Sequence, residues 1–115
     1  MRGKFGDKIR LKHILDAIHE IDTYLLDANF ESFLTNSMMR FACIKQMEII
    51  GEASNHISKE IKSQFSEIEW EQIIGMRNLL VHEYFGIDSN LVWEIVKKDL
   101  PELKYKIVSI LNEIE

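Results

Sequence analysis

Leu11, Ile14, Leu15, Ile18, Ile21 and Leu25 recur at steps of three and four residues, a spacing that sets them on one stripe of an α-helix. Apolar residues return at helical spacing further along the chain, and no segment carries a strand signal, a repeat or a low-complexity bias. The expected fold class is therefore all-α, an antiparallel helical bundle of four to five helices. A chain of 115 residues with 46% hydrophobic content suffices for one core, so residues 1–115 are expected to form a single domain.

Asp7 is placed to cap the first helix, which is expected to run to about Leu26. Asp27 to Ser37, where Phe30, Phe33 and Leu34 stand among Asn, Ser and Thr, reads as a connector whose aromatic rings plug the core. From Met38 to Phe65 only Gly51 disfavours a helix, at a cost of about 1 kcal/mol relative to Ala, and it is expected to admit another backbone closely. Apolar residues on more than one side of that stretch suggest burial against several partners, either other helices or a second subunit. Glu48, Glu52, Asn55 and Ser58 give it a polar edge. Ser66 and Glu69 have capping-box spacing and predict a helix carrying Trp70, Ile73, Ile74, Leu79 and Leu80. Asp88 or Ser89 caps the next helix, and Asp99, Pro101 and Glu102 mark the start of a last one with Leu103, Ile107, Ile110, Leu111 and Ile114 on its apolar face.

Several chemistries find no support. Cys43 stands alone among Phe41, Ala42 and Ile44, which suits a buried small hydrophobe and a reducing compartment. His13 and His19 are six residues apart and do not share a face for a metal, and there is no glycine-rich phosphate loop; no metal site or cofactor is expected. No apolar run has the length of a signal-peptide core or a membrane span, so no membrane partner is expected and the location should be cytoplasmic. The net charge of −5 opposes broad attraction to nucleic acid, although screening over roughly 8 Å lets a local basic patch prevail. Arg2, Lys4, Lys8, Arg10 and Lys12 are a candidate patch, the alternative being a solvated first turn and a frayed terminus.

The polar cluster that stands out is Gly75-Met76-Arg77-Asn78-Leu79-Leu80-Val81-His82-Glu83-Tyr84-Phe85-Gly86. On one continuous helix Arg77 and His82 would be about 140° apart, and Arg77 and Tyr84 about 20°. Ending the helix near Leu80 or Val81 would instead let His82 and Tyr84 fold back toward Arg77 on the following turn, with Gly86 supplying backbone freedom. A plainer reading has Arg77 and His82 complementing a helix C-terminus and Tyr84 and Phe85 as core aromatics. Residue types alone favour the plainer reading.

The ordered pattern Arg77, four residues, His82, one residue, Tyr84 resembles the R-x4-H-x-Y signature of HepT-like toxins, a branch of the HEPN family of all-helical, metal-independent ribonucleases. Asn78, the run Ile50-Gly51-Glu52-Ala53, Trp70, Phe85-Gly86-Ile87-Asp88, Val92-Trp93 and Asp99-Leu100-Pro101 extend the likeness along nearly the whole chain. The resemblance implies a HEPN-like bundle, a homodimer with two such motifs facing each other, and RNA as substrate. It implies the toxin of a type II-like toxin-antitoxin pair, neutralised by a small MntA-type nucleotidyltransferase antitoxin that modifies Tyr84 with AMP. Arg77 and His82 are then the catalytic residues, and Asn78, Tyr84 and Glu52 are auxiliary, Glu52 orienting Arg77. A helical partner of the nucleotidyltransferase without catalysis is the alternative, and a scaffold that tolerates substitution of Arg77 and His82 a third reading.

Overall fold

The computed structural model describes residues 2–82 and 88–114, with side chains described for residues 6–76 and 88–114. These residues form α1 (Arg2–Tyr24), α2 (Phe30–Thr35), α3 (Ser37–Asn55), α4 (Lys59–Gln64), α5 (Trp70–His82), α6 (Ser89–Glu94) and α7 (Leu100–Ile114). A π-helical stretch, Ile95–Asp99, joins α6 to α7 in one rod. The all-α expectation holds: four long rods carry the bundle, and α2 and α4 are single short helices between them.

The stripe read from the sequence is the centre of the core. Leu11, Ile14, Ile18 and Ile21 of α1, Met47 and Ile50 of α3, and Ile107 and Ile110 of α7 are all buried, each contributing roughly 1.5–3 kcal/mol of transfer free energy. α3 is the shared wall, with α1 and α5 both packed against it, and α7 closes on α1. Two tertiary bonds show that α1 and α3 run antiparallel. Asp7, early in α1, meets Ser58 just beyond the end of α3, while Tyr24 at the end of α1 accepts a bond of 3.0 Å from Gln46. The smallest dimension is 20 Å, the thickness of two helix layers at the usual 8–10 Å axial spacing.

The connector Asp27 to Ser37 contains more order than its composition suggests. Asp27 turns the chain with a positive φ of 66°. Asn29 then opens α2 with a reciprocal capping box, its side chain accepting from the Ser32 N–H at 2.8 Å while Ser32 Oγ accepts from the Asn29 N–H at 3.0 Å. Asn36 caps α3 through the Met39 N–H, and Arg40 donates to the last carbonyls of α2, those of Phe33 and Leu34. Phe33 does plug the core, with no exposed surface.

Four boundaries differ from expectation. α1 begins at Arg2, so Asp7 lies inside the helix and is not its N-cap. The stretch Met38 to Phe65 is two helices, because α3 ends with His56 as its C-cap and the chain turns extended at Ser58 (φ −65°, ψ 155°), which caps α4. α5 starts at Trp70 rather than at Ser66; the Trp70 indole donates to the Phe65 carbonyl at 3.2 Å and fixes a turn in between. Asp99 does not restart the chain before Pro101, since the rod runs through. The Leu100 N–H bonds the Ile95 carbonyl five residues back, and this wider turn accommodates a ring that would otherwise press on a carbonyl four residues back.

Candidate active site

The backbone of Arg77, Asn78 and His82 belongs to α5, which is helical through His82. The turn expected near Leu80 or Val81 is therefore absent, and His82 does not sit on a following turn. Leu79, Leu80 and Val81 are compatible with a helix interior and nothing in that run breaks one. The backbone positions of Arg77 and His82 are five residues, about 7.5 Å, apart along the axis of that helix. The side chains of Arg77, Asn78 and His82, and the whole of Tyr84, lie outside the described residues.

Two tryptophans hold the ends of this region. Trp70, 5% exposed, anchors the start of α5 through its indole bond to Phe65, and Glu71 in the first turn complements the helix dipole. Ile73 and Met76 then pack on the core. After Ile87 the chain is taken up by Asp88, whose carboxylate accepts from the Asn90 N–H at 2.9 Å and caps α6 as expected. Trp93 of α6 lies against Phe33 at 5.1 Å and Phe30 at 5.8 Å between ring centroids, and Lys97 stands over its ring at 4.8 Å, a favourable cation–π distance.

Glu52 lies on α3, the helix that α5 packs against. It is exposed, and its Oε1 is 3.0 Å from His56 Nε2. His56 was not singled out from the sequence. Its signal was available, since it follows Glu52 by four residues and so shares its helix face. Glu48 on the same edge meets Lys45 at 3.7 Å, while Ser58 is drawn away from that edge to Asp7.

A groove of about 300 Å³ opens beside α5, between it, the π-helical stretch and α7, with Ile50, Ile73, Met76 and Leu103 among its walls. Glu67, Glu69, Asp99 and Glu102 line it, and the one cation among its described walls, Lys106, is held by Glu102 at 3.2 Å and the Glu67 carbonyl at 3.3 Å. So acidic a rim repels phosphate, and the groove is not suited to an RNA strand. Cys43 is fully buried, and burial pushes its thiol up to about 11, which leaves it protonated and inert at neutral pH. His13 and His19 are exposed. Among the described residues no group of three His, Cys, Asp or Glu side chains is placed to hold a metal ion, and no helix is long and apolar enough to cross a membrane.

Comparison with known proteins gives the arrangement a context. Residues 14–110 match the model of a family described as "Ribonuclease HepT-like". The chain is 41% identical over 103 residues to "Probable ribonuclease HepT" of Thermococcus cleftensis, covering 90% of this chain and 94% of that one. It is 39% identical over 100 residues to "Putative RNase MJ1380" of Methanocaldococcus jannaschii, covering 87% and 92%. Against "Gamma-glutamylcyclotransferase and putative RNase MJ0434" of the same organism it is 40% identical over 108 residues, 94% of this chain and 49% of the relative, so it spans about half of that longer protein. No solved structure matches the chain.

Proposed function

The chain is a member of the HepT-like ribonuclease family, and from that membership we propose that it is an endoribonuclease toxin that cleaves RNA without a metal, using Arg77 and His82. The observation that carries the reading is the occurrence of Arg77 and His82 on α5 inside the stretch that matches the family. An imidazole with an ordinary pKa near 6.5 can take the proton of a 2′-hydroxyl at neutral pH. The freed oxygen attacks the adjacent phosphorus, the 5′-oxygen leaves with a proton from an acid, and a 2′,3′-cyclic phosphate remains. Arg77 offers a permanently charged fork for the extra negative charge of the phosphorane. Asn78 holds substrate or the Arg rotamer, and Glu52, on the neighbouring helix, orients Arg77.

One imidazole serves poorly as base and acid together, and the second is supplied by His82 of another copy in a homodimer. A cognate nucleotidyltransferase antitoxin of the MntA type silences the enzyme by attaching AMP to Tyr84, which places an anion in competition with substrate for Arg77.

Purified protein should cut RNA in the presence of EDTA. Arg77→Ala and His82→Ala should each lower the rate at least 100-fold while leaving the helical circular dichroism and melting temperature unchanged. Retention of cleavage in either variant would remove that residue from the catalytic assignment, whereas no cleavage by the wild type would leave a non-catalytic partner of the nucleotidyltransferase, the role to which the net charge of −5 lends itself. Mass spectrometry of the toxin co-expressed with its antitoxin should find AMP on the Tyr84 peptide and none in Tyr84→Phe. An unmodified wild-type peptide would point to inhibition by complex formation.

A further inference from the structure

We propose that the acid-rimmed groove beside α5 is the docking site for a cationic amphipathic helix of a partner protein, which sets apolar side chains on the groove floor and Lys or Arg against its rim. The floor is apolar and in part open. Ile50, Ile68 and Leu103 are buried beneath it, whereas Ile73 and Met76 are only partly covered, and a methionine adapts its shape to an incoming side chain. One wall is the π-helical stretch, from which Ile95 and Asp99 line the groove, and such turns recur at functional positions. The proposal holds whether or not Arg77 and His82 cleave RNA.

The rim selects the occupant. Glu67, Glu69, Asp99 and Glu102 all stand exposed around this floor, and Lys106 is already engaged by Glu102 and the Glu67 carbonyl. Among the described residues no three carboxylates converge where a metal ion could sit, so the negative charge is spread along a hollow of about 300 Å³. Spread charge and an apolar floor are satisfied together by a helix whose apolar stripe is flanked by cations, and the rim steers such a helix as it approaches. A nucleic acid is repelled, a polyamine has no side chain for the floor, and a further copy of this chain, at a net charge of −5, is opposed by its own charge.

The probe is a synthetic helical peptide of about 15 residues with Leu at i, i+3, i+4 and i+7 and Lys on either side, compared with a peptide in which Ser replaces each Leu. The full chain and its variant Glu69→Gln, Asp99→Asn, Glu102→Gln, altered only at exposed side chains, are titrated by fluorescence anisotropy, and NMR amide shifts of the full chain locate the peptide. The Leu peptide should shift amides within residues 67–76 and 95–106 and bind the groove variant about tenfold more weakly. The Ser peptide should bind the wild type about tenfold more weakly than the Leu peptide. The variant Glu20→Gln, Glu31→Gln, Glu113→Gln, which loses the same charge at exposed positions away from the groove, should bind as the wild type does. Equal affinity for the Ser peptide, or an unchanged affinity in the groove variant, would overturn the proposal by reducing the binding to general charge attraction. So would shifts centred elsewhere, as at Met38 and Phe41, or groove amides that move when the chain is diluted without peptide, which would assign the groove to a second copy.

Discussion

Asp7 shows how a residue can be read correctly in chemistry and wrongly in place. A carboxylate early in an apolar stripe suggests an N-cap, and Asp7 does complete a cap, but for α4. Its Oδ1 accepts from the Ser58 N–H at 2.8 Å and its Oδ2 from the Ser58 hydroxyl at 2.6 Å, while Ser58 Oγ accepts from the Ile61 N–H at 3.3 Å. The bonds span 51 residues, and no local pattern announces them. Removing the acceptor leaves a partly buried N–H and hydroxyl unpaired, at a cost of about 1–3 kcal/mol. Asp7→Ala should therefore lower stability in urea denaturation by that amount, and Ser58→Ala, which keeps the N–H bond, by less. Equal stability of Asp7→Ala and the wild type would show that the contact does not hold α4 in place.

At the level of elements, what was legible depended on how local the cause is. The apolar stripe of α1 and that of α7 follow from residues within the helix, and both are buried as read: Leu11, Ile14, Ile18 and Ile21 in one, Leu103, Ile107, Ile110 and Leu111 in the other. Breaks were less legible because tertiary contacts make them. The separation of α3 from α4 is fixed by the bonds from Asp7, and the late start of α5 by the Trp70 indole on the Phe65 carbonyl. The converse holds at Pro101, where a residue that usually starts a helix is absorbed by a π-helical turn. The motif itself was legible as an ordered set of residue types, and a helix carrying Trp70 and Arg77 was expected and is present, with both ends displaced. The helix end was expected near Leu80 or Val81, whereas α5 is helical through His82; the side chains that the expected turn was to bring together lie outside the described residues.

The proposed reaction makes a demand on the whole molecule. If the chain cleaves RNA as proposed, the motif of one copy offers a single imidazole, His82, whereas cleavage requires a proton to be removed from one oxygen and given to another. A second copy facing the first would supply the missing group. The surface has apolar area to spend on such an association: Met38 is 81% exposed, Phe41 57% and Leu34 42%, whereas the opposite side of α3 is buried in the core. Light scattering at micromolar concentration should give twice the chain mass of 13.5 kDa. If both copies build one cleft, the cleavage rate per chain should fall on dilution once monomers predominate, and excess His82→Ala subunits should poison the wild type by forming mixed dimers with one imidazole. A monomer that cleaves RNA at a rate per chain independent of dilution, unaffected by His82→Ala, would place acid and base within a single copy and rule out the paired site.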